Sequence, residues 1–247
     1  MTHRPSPGTP HASSPLDSAR GPEPVEGLAP PALDWSGVDD VLLDMDGTLL
    51  DRDFDNFFFE EELPRRYAAL HRLPYEQARE KLMALYRSVE GELAWTDLQY
   101  WTRSLGIDIV AMTQELSDRI DYLPGVEGFL AAVRARRKRM TVLTNAHADG
   151  VAIKCRRTGI DKQVDRIVNA FEVGCLKMRP DYWPACQKLV GFDPGRALYI
   201  DDDEACLDAA RAFGIRHIYH SARSSTKLPA HPSRRHAPLE NLQDLIS

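Results

Sequence analysis

The chain has 247 residues, 43% of them hydrophobic, and a formal net charge of −6. That mildly acidic, globular composition argues against nucleic acid or an anionic membrane as the main partner, and no apolar run approaches the roughly 18 residues needed to span a bilayer. Cys155, Cys175, Cys186 and Cys206 are widely spaced, with no C-x-x-C pair and no secretory signal, so they read as reduced thiols of a cytoplasmic protein.

Residues 1–33 carry eight prolines among Ser, Gly, His and Arg and almost no large apolar side chain. Such a segment buries too little surface to offset its ordering entropy, so it is expected to be disordered. From Val41 onward short apolar runs alternate with helical patterns. VLLD (41–44) predicts a buried strand that ends directly in a turn. Residues 53–122 show no strand pattern. Their apolar spacing of three and four, in stretches such as YEQAREKLMALYRSV and TDLQYWTRSLG, predicts several amphipathic helices inserted as one cap. Beyond them the chain resumes with a helix from just past Gly125, a strand MTVLT (140–144) and a helix closed by Gly159. A strand DRIVNA (165–170) and a helix PDYWPACQKLVG follow, then a strand ALYID (197–201), a helix ending at Gly214 and a fifth strand RHIYH (216–220). LENLQDLI near the end reads as a small packed helix. The alternation predicts an α/β fold, a doubly wound parallel sheet with helices on both faces. The core is assigned to 34–52 and 123–247 and the helical cap to 53–122.

Four of the five predicted strands lead into polar chemistry: Asp44-x-Asp46, Thr144-Asn145, Lys177 in GCLKMRP, and Asp201-Asp202-Asp203-Glu204. In a parallel sheet these ends share one edge, where ligands bind at the point of strand-order reversal. A hydroxyl, an ammonium group and several carboxylates together suit a divalent cation and a phosphate.

DMDGTLLD after one strand, TN after another, a solitary Lys, then IDD before a helix resembles the haloacid dehalogenase superfamily over the whole folded part. LLDMDGTLLD…FDN, QYW followed by LGIDI and AMT, and TNAH are similar to the bacterial GMP/IMP nucleotidases of that superfamily. The resemblance implies a Mg²⁺-dependent phosphomonoesterase that passes through an aspartyl-phosphate, acting on a small phosphate ester such as a purine nucleoside 5′-monophosphate. It implies Asp44 as nucleophile, Asp46 as general acid then base, and Thr144 and Lys177 as phosphoryl ligands. Backbone N–H groups around Gly47 and at Asn145 would support the phosphoryl group. The metal would be held by Asp44, the Asp46 carbonyl and Asp202, with Asp201 beside them. Two departures stand out. Cys206 occupies the place of a second acid often found four residues after the first, and KMRPD replaces the frequent KPDP.

Other readings of the same residues remain. Asp44-x-Asp46 alone could be a solvated turn, and a calcium loop fits poorly, with Thr48 and Leu49 at its fifth and sixth places. Asp203 and Glu204 fit the acidic first turn of a helix. His147 is placed to touch the leaving group but reads rather as an exposed loop residue, and Phe54, Trp95, Tyr100 and Trp101, aromatics that could stack on a purine, read for the most part as cap core. Asp51 and Asp53 mark the entry to the cap. The enzymatic alternatives are a sugar phosphomutase, which shares every motif, and a sugar-phosphate or phosphoglycolate phosphatase. A non-catalytic metal- or nucleotide-binding protein would leave Asp46 without a purpose.

Overall fold

The structure, a computed structural model, describes residues 33–246; the disorder expected of the N-terminal tail falls outside them. Six strands, β1 (Asp40–Leu43), β2 (Arg139–Thr144), β3 (Arg166–Asn169), β4 (Ala197–Asp201), β5 (His217–Ser221) and β6 (Ala237–Leu239), form one sheet in the order β3-β2-β1-β4-β5-β6. Every pairing is parallel. The period of two along each strand sends alternate side chains into different cores. Val41, Leu43, Val142 and Ile200 join the core that extends into the inserted helices, whereas Leu42, Leu143 and Tyr199 pack with Trp183 and Tyr182 on the other face.

The sequence pattern predicts five strands, and the sixth is a finding. Ala237-Pro238-Leu239 is short, and Pro238 cannot donate to a ladder, which confines it to an edge. LENLQDLI forms only a single 3₁₀ turn, Leu242–Leu245, whose two leucines are buried.

Between β1 and the rest of the sheet lie α1 (Asp53–Phe57), α2 (Leu63–His71), α3 (Tyr75–Val89), α4 (Leu98–Leu105) and α5 (Ile109–Glu115). α1 runs into α2 through a π-helical turn, Phe58–Glu62, just ahead of Pro64. Proline has no N–H to return to the preceding turn; the Glu60 carbonyl accepts from the Tyr75 hydroxyl at 3.3 Å. Phe54, Phe58, Tyr86 and Trp101 are buried together in this insertion. Each such side chain contributes about 1.5–3 kcal/mol or more of hydrophobic stabilisation. Trp95 and Tyr100 pack against the same cluster from half-buried positions.

Core helices α6 (Val126–Ala135), α7 (Ala148–Thr158), α8 (Ala170–Val173), α9 (Tyr182–Val190) and α10 (Glu204–Phe213) complete the two layers. β1 is flanked by β2 and β4, so the strand order reverses there, and the crevice beyond its carboxyl end is the favoured ligand position. No helix among the described residues is long and apolar enough to cross a membrane.

Candidate active site

Asp44 is the first residue past β1, and its N–H donates to the Ile200 carbonyl of β4 at 2.9 Å. The backbone is thus still paired to the sheet while the side chain enters the crevice. It is buried, and its two oxygens differ. Oδ1 accepts from Lys177 Nζ, whereas Oδ2 has no partner among the described residues. The chain then turns sharply: the Leu49 and Leu50 N–H groups both return to the Met45 carbonyl, and Gly47 adopts φ +94°. This turn brings Asp46 Oδ1 to 2.7 Å from Lys154 Nζ, an ion pair without hydrogen-bond alignment.

Lys177 sits in the loop between α8 and α9. Its N–H donates to Asn145 Oδ1 at 3.0 Å, and its carbonyl accepts from the Trp183 indole at 3.1 Å. Held at both backbone ends, it extends its ammonium to Asp44 and to Asp201 Oδ2, the latter at 2.7 Å. The Tyr199 hydroxyl donates to the same Asp201 oxygen. Thr144 is buried at the end of β2, its Oγ1 accepting from the Ala146 N–H at 3.0 Å. Asp202 is met by Arg52, which donates to Oδ2 at 2.7 Å.

Carboxylate oxygens of Asp44, Asp201 and Asp202 all lie within 4.8 Å of one another. Hard oxygen donors at such spacing are the donor set of Mg²⁺, which sits about 2.1 Å from each ligand. The ion pairs of the crevice link five carboxylates (Asp44, Asp46, Asp55, Asp201, Asp202) to three cations (Lys177, Lys154, Arg52). The excess negative charge fits a bound divalent cation. The electrostatics agree. Burial pushes the Asp202 carboxyl up to about 6, with Arg52 opposing and Asp201 reinforcing. Burial works against the Lys177 charge, but Asp201 and Asp44 outweigh it and hold the ammonium pKa well above its ordinary value. It stays charged.

Asp44, Asp46, Gly47, Thr144, Asn145, Lys177, Asp201 and Asp202 therefore lie around one crevice or its supporting turns. The details differ from expectation in places. The Gly47 N–H donates to the Leu50 carbonyl at 2.7 Å, inside the turn. Asn145 supports the lysine loop through its side chain. His147 is not an exposed loop residue; its ring, 18% exposed, caps α7 by accepting from the Asp149 N–H, lies against Phe171, and reaches within 3.7 Å of Asp97 in the insertion. Asp203 caps α10, as its place in an acidic first turn suggested. Asp51 accepts from the Thr226 N–H, fastening the insertion's entry to the loop after β5.

Three residues escape sequence reasoning: Arg52, Asp55 and Lys154. Lys154 left one signal. It stands four residues after Gly150 and one after Ile153, on the buried stripe of α7, where a lysine has no place unless it is paired. Arg52 leaves none, because its partner is 150 residues away.

Residues 38–214 match the family model of the haloacid dehalogenase-like hydrolases. The chain belongs to that family. It is 37% identical over 212 residues to the GMP/IMP nucleotidase YrfG of Escherichia coli (strain K12), a match covering 86% of this chain and 96% of the relative. It is 24% identical over 189 residues to a phosphorylated carbohydrates phosphatase of Thermotoga maritima, covering 72% of this chain and 83% of that one. The crystal structure of a phosphatase of the family from Thermococcus onnurineus superposes with a TM-score of 0.70 at 16% identity, over 84% of this chain and 96% of that one. This haloacid dehalogenase-like chain is accordingly a hydrolase, in a family that generally relies on a divalent metal.

Proposed function

We propose that the protein is a Mg²⁺-dependent phosphatase of purine nucleoside 5′-monophosphates, working through an aspartyl-phosphate at Asp44. The observation that carries this reading is the asymmetry of Asp44: Oδ1 held by Lys177, Oδ2 buried and unpartnered beside Asp201 and Asp202.

The residues divide the reaction as follows. Asp44 Oδ2 attacks phosphorus, and the bond from phosphorus to the ester oxygen breaks. Asp46 gives its proton to that departing oxygen. A water then yields a proton to Asp46 and attacks the phosphorus of the acyl phosphate, releasing inorganic phosphate and regenerating Asp44. Thr144 and the Lys177 ammonium donate to the phosphoryl oxygens, where charge builds up in the transition state. Asp44, Asp202 and the Asp46 carbonyl, with Asp201 beside them, would hold Mg²⁺, which would neutralise charge on the nucleophile and the phosphoryl group. Residues 53–122 act as a cap that closes over the crevice and limits water until the intermediate has formed. The remaining segments, 34–52 and 123–247, form the core, and the cytoplasm is where such a substrate is met.

The purine assignment draws on the relative that acts on GMP and IMP; the more distant carbohydrate-phosphate relative favours a sugar phosphate as the second reading. Phosphate release from GMP, IMP, AMP, sugar phosphates and phosphoglycolate tests it. GMP and IMP should be favoured in kcat/KM by about tenfold or more over the sugar phosphates, the scale that one well-filled pocket supplies. Equal or better turnover of a sugar phosphate would replace the purine reading. A need for a bisphosphate primer would identify a mutase instead.

A further inference from the structure

Lys154 lies on core helix α7, is only 5% exposed, and carries two carboxylates that belong to other elements. Asp46 Oδ1 is 2.7 Å from its Nζ, and Asp55 on α1 of the insertion accepts from it at 3.2 and 3.1 Å. A buried ammonium costs several kcal/mol to desolvate, so a lone lysine would not stay at this position. Asp55 alone would neutralise it. The third member is informative, because Asp46 stands two residues past Asp44 on a turn that could otherwise leave its carboxyl free to rotate. Within the turn the Gly47, Leu49 and Leu50 N–H groups all go to backbone carbonyls rather than to the Asp46 carboxyl.

We propose that Lys154 is the positioning residue of the reaction: it fixes the Asp46 carboxyl toward the departing oxygen, and Asp55 holds it there from the first cap helix. The proposal rests on the phosphomonoesterase reading above. Its chemical content is specific. Proton donation is sensitive to misplacement of about 1 Å, so loosening Asp46 should slow ester cleavage in proportion to how much the leaving oxygen needs a proton. An alkyl oxygen, such as the 5′ oxygen of a nucleotide, needs it. The p-nitrophenolate oxygen departs as a stable anion and does not. A lysine that merely holds α7 to α1 would, on removal, lower both rates alike.

The test is kcat/KM, which reports the chemistry up to formation of the aspartyl-phosphate, measured with GMP and with p-nitrophenyl phosphate. The Lys154→Met variant should lose about 100-fold on GMP and less than about fivefold on p-nitrophenyl phosphate, following the usual worth of a general acid. Asp46→Asn should show the same bias, at least as strongly. Lys154→Gln keeps a hydrogen-bond donor and decides the matter if the Met variant fails to fold, as judged by circular dichroism. Equal losses on the two esters, or no loss on GMP, overturn the proposal while leaving the phosphatase reading intact. A wild-type protein that hydrolyses neither ester overturns the phosphatase reading itself, and this proposal with it. If wild type cleaves p-nitrophenyl phosphate but not GMP, the purine substrate falls, and the same comparison is made with the alkyl phosphate it does cleave.

Discussion

Lys177 engages Oδ1 of Asp44 and leaves Oδ2 without a partner among the described residues, although the side chain is buried. The lysine is not free to follow the carboxylate, because Asp201 holds it at 2.7 Å and Tyr199 in turn donates to that Asp201 oxygen. A fixed cation on one oxygen sets the plane of the carboxylate. The other oxygen is thereby aimed into the crevice, which is what an attacking group requires.

Removing that cation should be costly. Lys177→Met would leave Asp44 and Asp201 facing each other, buried and uncompensated, and breaking such a pair costs about 3–5 kcal/mol. Urea unfolding should show a loss of this size. Phosphatase activity should fall to background in whatever fraction folds. A variant as stable as the parent would mean that Lys177 is not carrying the charge of the cluster.

The two acids of the opening turn should separate by role. Asp44→Asn removes the proposed nucleophile and should abolish phosphate release. Asp46→Asn removes only proton transfer and should lower kcat/KM on GMP by about 10²–10⁴. Survival of substantial activity in Asp44→Asn would rule out an aspartyl-phosphate at this residue.

Much of this was legible in the sequence, for a physical reason. Parallel strands advertise themselves as short apolar runs, and their carboxyl ends are where polar residues must be explained. Asp44, Thr144 and Asp201 are each at or one residue past a strand end. The sixth strand was not legible, since Ala237-Pro238-Leu239 lacks both length and β-branched residues. Nor was the partnering of the carboxylates. Arg52 looks like any surface cation in a chain with 31 Lys and Arg residues, and although Lys154 falls on the buried stripe of α7, only the fold places the two opposite Asp202 and Asp46. His147 was misjudged because a helix cap made by an imidazole has no distinctive spacing.

Chelation offers a check that does not depend on turnover. EDTA should remove activity and Mg²⁺ should restore it. Independently, Mg²⁺ binding to the folded state alone should raise the melting temperature, by the equivalent of about 2.7 kcal/mol at 100 times its dissociation constant. Asp202→Asn should abolish that shift, because it removes one of the three converging carboxylates. A melting temperature indifferent to Mg²⁺ would argue against a cation at this cluster.

Gly47 gives the sharpest structural prediction. Its φ of +94° is strained for any residue with a Cβ, at roughly 1–2 kcal/mol. Here the added Cβ would also collide with Asp202 Oδ2 and lie 2.7 Å from Arg52 Cδ. The turn cannot retreat easily, because the Gly47 N–H is bound to Leu50 at 2.7 Å and its carbonyl accepts from the Ser221 hydroxyl at 2.8 Å. Asp202 must therefore give way. Gly47→Ala should lose stability by about the backbone cost, and should also need several-fold more Mg²⁺ for half-maximal activity. Gly159→Ala is the matched control: its φ is +70°, yet a Cβ there meets nothing within 4 Å. It should be destabilised similarly with its Mg²⁺ requirement unchanged. If both variants shift the Mg²⁺ requirement alike, the effect belongs to global stability, and the close approach of Gly47 to Asp202 has no part in holding the metal.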